Sequence, residues 1–81
     1  MLTGRELYDM YKGYEASFDG LKGIVCGYNT EWGQVICAVT EKRFNNGWLF
    51  HQREQEDVII THRENPLGYF YCTERRISHK S

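Results

Sequence analysis

The sequence predicts a mostly β fold of the α+β class, with an N-terminal helix followed by a small five-stranded antiparallel barrel. The first observation is a hairpin pattern in which two apolar, β-branched runs, 21–28 and 34–40, flank a short loop beginning with Asn29 and ending with Gly33. The second is a helix-capping pattern that precedes the hairpin, and the third is a series of turn signals about eight to twelve residues apart. The 81 residues have room for one domain, 1–81.

The first residues carry the signature of a helix N-terminus. Thr3 and Glu6 have the spacing of a capping box, and Gly13 favours a helix end. The apolar positions that follow the capping box repeat with the spacing of one helical face and are Leu7, Met10, Tyr11 and Tyr14. We therefore expect a helix over residues 3–12, stabilised by packing of this face on the sheet.

The two hairpin runs are apolar on both faces. Alternation places Val35, Cys37 and Val39 on one face and Ile36 and Ala38 on the other. This pattern is typical of strands that are buried on both sides.

Two glycines, Gly23 and Gly27, interrupt the first hairpin run. Glycine in a strand favours a bulge, a bend or a close approach of another backbone. Bends of this kind suit a small, tightly curled sheet.

Further strands are predicted at 48–50, 58–62 and 69–73, with residues 15–18 as an additional candidate for a short strand. In the last of these, Tyr69 and Tyr71 share one face, and Phe70 and Cys72 share the other. The polar run 51–57 is predicted to be a solvated loop.

Three short motifs of glycines and aromatic residues carry a resemblance to a known family. They are G-x-x-G-x-V-x-G-Y from Gly20 to Tyr28, Gly47-Trp48, and G-Y-x-x-C-x-E-x-x-I from Gly68 to Ile77. Together they resemble small Src-homology-3-like barrels, including short proteins encoded by bacteriophages. The resemblance implies this fold and a phage setting, and it brings no catalytic residues with it.

Charge and hydropathy exclude several classes of protein. The formal net charge of −1 excludes a strongly basic nucleic-acid binder and an acidic DNA mimic. No apolar stretch approaches the roughly 20 residues that cross a bilayer. The chain turns polar directly after its first two residues, so we expect no signal peptide and a cytoplasmic location, in the host cell if the protein is phage-encoded.

The sequence favours neither a metal site nor catalysis. Cys26, Cys37 and Cys72 are isolated in apolar runs, so we expect free, buried thiols. The cysteines and histidines lack the close pairs that structural zinc requires, and no other cofactor is expected. No nucleophile has a recognisable activating neighbourhood, so we predict that the protein is not an enzyme.

A binding site is the better hypothesis, because the chain has surplus aromatic residues and arginines at strand ends and in loops. Aromatic rings stack on bases, and guanidinium groups pair with phosphates. The alternative is that the aromatic residues form the core while the arginines are solvated. The candidate ligand-binding residues are Trp32, Arg43, Trp48, Arg63, Tyr69 and Tyr71.

These residues lead to three functional hypotheses. The first is a non-catalytic, phage-encoded protein that acts against host defence by sequestering a small anionic ligand such as a nucleotide messenger. The alternative is a protein–protein interaction module that inhibits or adapts a partner, using the same side chains as a binding hot spot. A weak nucleic-acid binder using the Arg75-Arg76 tail is the second alternative. The short chain with its 15% aromatic content also predicts a homo-oligomer.

Overall fold

The fold consists of one helix and a five-stranded antiparallel sheet, which confirms the predicted mostly β architecture. The computed structural model describes residues 2–43, 49–51, 56–61 and 67–78. Its elements, in chain order, are α1 (Gly4–Tyr11), β1 (Glu15–Phe18), β2 (Leu21–Asn29), β3 (Val35–Lys42), β4 (Val58–Ile60), β5 (Tyr69–Cys72) and a 3-10 helix (Glu74–Arg76).

Helix α1 starts as the sequence predicts. The Thr3 hydroxyl accepts a hydrogen bond from the Glu6 amide at 3.2 Å, and the Glu6 carboxylate accepts one from the Thr3 amide at 2.9 Å. This reciprocal pair is a capping box, and it satisfies amide groups that have no partner within the helix. Gly13 has a φ of 85°, a value that glycine adopts readily, so the helix ends there as expected.

The buried face of α1 differs in part from the predicted one, and Tyr14 lies beyond the end of the helix. Leu7 and Tyr11 are buried, but Met10 is 51% exposed. Gly4, one turn before Leu7, is buried in its place, and Tyr8 is partly buried. Because successive helical residues are about 100° apart, a stripe centred on Gly4, Leu7 and Tyr11 leaves Met10 at its solvent side.

Gly4 is buried because the β2–β3 loop lies directly against it. A Cβ atom at Gly4 would lie 2.7 Å from the carbonyl oxygens of Asn29, Trp32 and Gln34. The start of the helix and the hairpin loop therefore pack backbone to backbone, which only glycine permits here.

Strand β2 is the centre of the sheet. Along one edge it pairs with β3, and along the other it pairs first with β1 and then with β4. Strand β5 adds to the outer edge of β3, so the path through the sheet is β1-β2-β3-β5 with β4 attached to β2.

Two glycines of β2 allow both β1 and β4 to pair along the same edge of this strand. The β2–β3 register shifts between Lys22 and Gly23 and again between Val25 and Gly27, which confirms the predicted bulges. A Cβ atom at Gly27 would collide with the carbonyl oxygen of Ile59 in β4. Glycine therefore permits both the bend and the close approach of the neighbouring strand.

The two faces of the sheet carry separate apolar clusters. Helix α1 covers the first, which comprises Leu7, Tyr11, Ala16, Leu21, Val25, Val35, Cys37, Val39, Phe70, Cys72 and Ile77. The second comprises Cys26, Ile36, Ala38, Phe50, Val58 and Tyr69. Residues of β3 alternate between the two clusters, which confirms the prediction that this strand is buried on both faces.

The sheet is rolled but, within the described residues, no ladder of strand pairs closes it into a barrel. The chain after β5 forms the 3-10 helix and then reaches β1 through an isolated bridge between Ala16 and Ile77. One further hydrogen bond, from the Ser78 amide to the Glu15 carbonyl at 2.8 Å, extends this contact. The predicted barrel is therefore not closed by strand pairing in the described part of the chain, because a 3-10 turn separates β5 from the segment that meets β1.

Several sequence predictions concern the loops between β3 and β5. The predicted strand at 48–50 is represented by a single bridge between Phe50 and Tyr69, and Trp48 lies outside the described residues. The strand predicted at 58–62 is shorter, ending at Ile60. Most of the predicted solvated loop, residues 52–55, also lies outside them.

We predict that Gly4→Ala destabilises the protein by at least about 1 kcal/mol, although alanine is the better helix former by about that amount. The reason is that the added Cβ would overlap three backbone carbonyl groups, which cannot rotate away. Urea denaturation measures the effect. Arg5→Ala, at the exposed neighbouring position, is the control and should stay within about 0.5 kcal/mol of wild type. An increase in stability for Gly4→Ala would contradict the packing of α1 on the loop.

Candidate functional site

A buried asparagine organises the loop between β2 and β3. Asn29 is only 4% exposed, and its side-chain oxygen accepts hydrogen bonds from the amides of Glu31 at 2.8 Å and Trp32 at 3.0 Å. Its side-chain nitrogen donates to the Tyr71 hydroxyl at 3.2 Å. One amide group therefore shapes the loop and also ties it to β5.

This arrangement brings two predicted site residues together. The rings of Trp32 and Tyr71 have centroids 5.4 Å apart, and Trp32 is 54% exposed. Tyr71 is half-buried and stacks on Phe50 with a centroid distance of 4.9 Å. Trp32 and Tyr71 thus form an aromatic surface in which Tyr71 packs on Phe50 and Trp32 is exposed to solvent.

A cleft with a volume of about 340 Å³ adjoins Tyr71. It is lined by Phe18, Gln34, Tyr71, Cys72, Thr73, Arg75 and Arg76. We call it the arginine cleft. Its volume lies at the lower end of the range for small-molecule sites, about 300–1,000 Å³.

The 3-10 helix supplies the positive charge of the arginine cleft. The guanidinium carbon of Arg76 lies 4.9 Å from the centroid of the Phe18 ring, in a cation–π contact. Arg75 and Arg76 are both exposed, and neither forms an ion pair with a carboxylate in the described part of the chain. Both guanidinium groups can therefore pair with an anion that enters the cleft.

Neither Tyr69 nor Arg43 lines the arginine cleft. Tyr69 is 7% exposed and packs on Phe50 in the second apolar cluster, where burial raises its pKa. Arg43 forms an ion pair with Glu41 at 2.8 Å. It follows the far end of β3, roughly 25 Å of strand from the loop that carries Trp32.

The remaining predicted site residues, Trp48 and Arg63, lie outside the described residues. Six residues that line the cleft were absent from the predicted set of ligand-binding residues and are Phe18, Gln34, Cys72, Thr73, Arg75 and Arg76. The order Thr73-Glu74-Arg75-Arg76 was the available signal, since an acidic residue followed by basic ones suits a short helical turn.

The three cysteines are free and buried, which confirms the sequence prediction. Burial raises the pKa of the Cys26 thiol to about 12. A hydrogen bond with Cys72, together with burial, raises the pKa of Cys37. Both thiols therefore stay protonated at neutral pH, and a thiolate is the form that reacts.

The described residues contain neither a metal-binding cluster nor a membrane-spanning helix. No group of three or more histidine, cysteine or acidic side chains there is arranged to hold a metal ion. None of the helices in the same part of the chain combines the length and apolar character needed to cross a bilayer.

Comparisons with protein-family models, with curated proteins and with solved structures returned no match. The function is therefore inferred from the chemistry and geometry of the arginine cleft and the aromatic surface beside it.

We predict that Asn29→Ala destabilises the protein by about 2 kcal/mol, because it leaves partly buried hydrogen-bonding groups without their partner. Urea denaturation measures the change. Thr30→Ala is the control, since it removes one exposed side-chain hydrogen bond from the same loop and should change stability by less than about 1 kcal/mol. Equal stability of Asn29→Ala and wild type would show that the amide does not organise the loop.

Proposed function

We propose that this protein is a non-catalytic binding protein that captures a small anionic ligand containing a planar ring, such as a nucleotide messenger. The observation that supports this most strongly is the position of Arg75 and Arg76 in the same cleft as Tyr71, with exposed Trp32 beside it. Sequestration of the ligand needs no reacting group, only affinity.

The two halves of the site suit the two halves of such a ligand. Guanidinium groups form strong, charge-assisted hydrogen bonds with phosphate oxygens. An aromatic face contributes about 1–3 kcal/mol for each stacked base. Gln34, at the edge of the cleft, carries a donor and an acceptor that can pair with the edge of a base.

The fold family and the biological setting of the protein belong to the same proposal. We take the rolled sheet as an SH3-like barrel that the Ala16–Ile77 bridge draws together, and the protein as a phage product acting in the host cytoplasm. There, capture of a nucleotide messenger would prevent the host defence from detecting it.

A protein-interaction module is the alternative, and the exposure of Trp32 is the observation that favours it. Exposed tryptophan is frequent at the centre of protein interfaces. A partner that covers Trp32 would inhibit or recruit through the same aromatic surface. A weak nucleic-acid binder remains the second alternative and would use Arg75 and Arg76 on phosphates.

We predict that a nucleotide raises the melting temperature of the wild-type protein by several degrees, because ligand at 100 times its Kd stabilises the folded state by about 2.7 kcal/mol. A thermal-shift screen of mononucleotides, cyclic dinucleotides and pyrophosphate identifies the best probe, and calorimetry gives its affinity. Arg75→Gln with Arg76→Gln should weaken binding at least about tenfold, since each removes a charged hydrogen bond worth about 1.5–3 kcal/mol.

Arg43→Gln is the matched control for this experiment, because it removes one exposed guanidinium that does not line the cleft. Its affinity should equal that of wild type. Equal losses in the Arg43 and Arg75 variants, or no response to any nucleotide, would contradict the proposal. Binding only to a polynucleotide, with a steep fall as salt is added, would favour the nucleic-acid alternative.

We also predict self-association, because apolar side chains of this small fold remain exposed. These are Leu2, Met10, Phe18, Trp32, Ile59 and Leu67. A symmetric dimer would cover part of this surface. Light scattering at high protein concentration measures the mass, and the mass of a single chain would contradict the prediction.

A further inference from the structure

One side-chain hydrogen bond joins helix α1 to the 3-10 helix. The Tyr11 hydroxyl donates to Oε2 of Glu74 at 2.6 Å, across a sequence separation of 63 residues. Tyr11 is 8% exposed and belongs to the apolar cluster beneath α1, so its hydroxyl has a fixed position. A short bond from a hydroxyl to a carboxylate is of the strong, charge-assisted kind.

Glu74 is the first residue of the three-residue turn that carries Arg75 and Arg76. The backbone of this turn is held at both ends. The Arg76 amide donates to the Thr73 carbonyl at 3.0 Å, and the Ile77 amide donates to the Glu74 carbonyl at 3.1 Å. Ile77 is buried and bridged to β1, so the turn cannot move far from the cleft.

Glu74 therefore precedes Arg75 and Arg76 directly in the sequence, but its carboxylate is hydrogen-bonded to Tyr11. Within the described residues it forms no ion pair with Arg75 or Arg76. If it were released from Tyr11, the nearest cationic side chains along the chain would be these two arginines, and opposite charges attract. That contact would compete directly with an anionic ligand.

The Tyr11 hydroxyl keeps its proton at neutral pH. Glu74 as acceptor, together with burial, raises the pKa of Tyr11, so the phenol keeps its proton wherever an unperturbed tyrosine would. Tyr11 can therefore donate this hydrogen bond to Glu74 at neutral pH.

We propose that Tyr11 and Glu74 are positioning residues for the arginine cleft. The Tyr11 hydroxyl holds the Glu74 carboxylate away from Arg75 and Arg76, and this keeps both guanidinium groups available to the anionic group of the ligand. The proposal rests on the proposed function, and it assigns a role in binding to a helix that does not touch the ligand.

Affinity for ADP, measured by calorimetry, tests the proposal with a set of variants. Tyr11→Phe keeps the ring and its packing but releases the carboxylate, and it should weaken binding about three- to tenfold. Glu74→Gln still accepts the hydrogen bond and carries no charge, so it should bind at least as tightly as wild type. The double variant Tyr11→Phe/Glu74→Gln should recover an affinity within about twofold of Glu74→Gln.

The recovery in the double variant distinguishes the proposal from a purely structural role. If the hydrogen bond served only to hold the turn in place, the double variant would bind as weakly as Tyr11→Phe, and the proposal would be wrong. Tyr14→Phe is the matched control, because Tyr14 lies against Tyr11, with ring centroids 5.4 Å apart, and loses the same hydroxyl. Its affinity should equal that of wild type.

A measurement without ligand separates this proposal from the proposed function. Nuclear magnetic resonance of the arginine side-chain Nε–H groups should show shifted signals for Arg75 or Arg76 in Tyr11→Phe, and wild-type-like signals in the double variant. If wild type binds no nucleotide while these shifts appear, the proposed function fails and the positioning role stands. Unshifted arginine signals in Tyr11→Phe would overturn the positioning role, whatever the ligand result.

Discussion

The whole structure depends on one constraint, which is that strand β2 must pair with three other strands. Its nine residues pair with β3 along one edge, while β1 and β4 share the other edge. A straight strand would direct both neighbours into the same plane, so β2 has to bend between them. Gly23 and Gly27 lie at the register shifts, where another backbone leaves no space for a Cβ atom.

The C-terminal end of β2 is also where the candidate binding site begins. Asn29 is the last residue of β2, and its amide closes the following loop and reaches Tyr71 in β5. The same loop supports the start of α1 through Gly4. Helix, hairpin and aromatic surface are therefore connected by direct contacts, and Asn29 places Trp32 through its hydrogen bond to the Trp32 amide.

The other half of the site comes from the end of the described chain. The 3-10 turn presents Arg75 and Arg76 to the cleft, while Ile77 attaches the turn to β1 and Glu74 attaches it to α1. The 3-10 turn that keeps β5 from pairing with β1 thus also places the positive charge of the arginine cleft. A fully paired strand at this point would alternate its side chains between two faces and send neighbouring arginines in opposite directions.

Local patterns were enough to predict several elements. The capping box of α1 depends on residues three apart, and the alternation of buried faces in β3 and β5 follows from the strand period of two. The bulges at Gly23 and Gly27 were predictable because glycine has few other uses inside a strand. Met10 was assigned wrongly, since the orientation of the helix is set by the contact of Gly4 with a distant loop.

The sequence by itself determined the helix, most of the strands and the buried faces of β3 and β5, because these follow from patterns among residues close along the chain. Only the tertiary structure decided which polar and aromatic side chains meet. Asn29 contacts Tyr71 across 42 residues of sequence, and Tyr11 contacts Glu74 across 63. The periodicity of residues within one helix or strand does not reveal contacts between such distant positions. The arginine cleft exists because the bent sheet and the 3-10 turn bring these separate segments to one place.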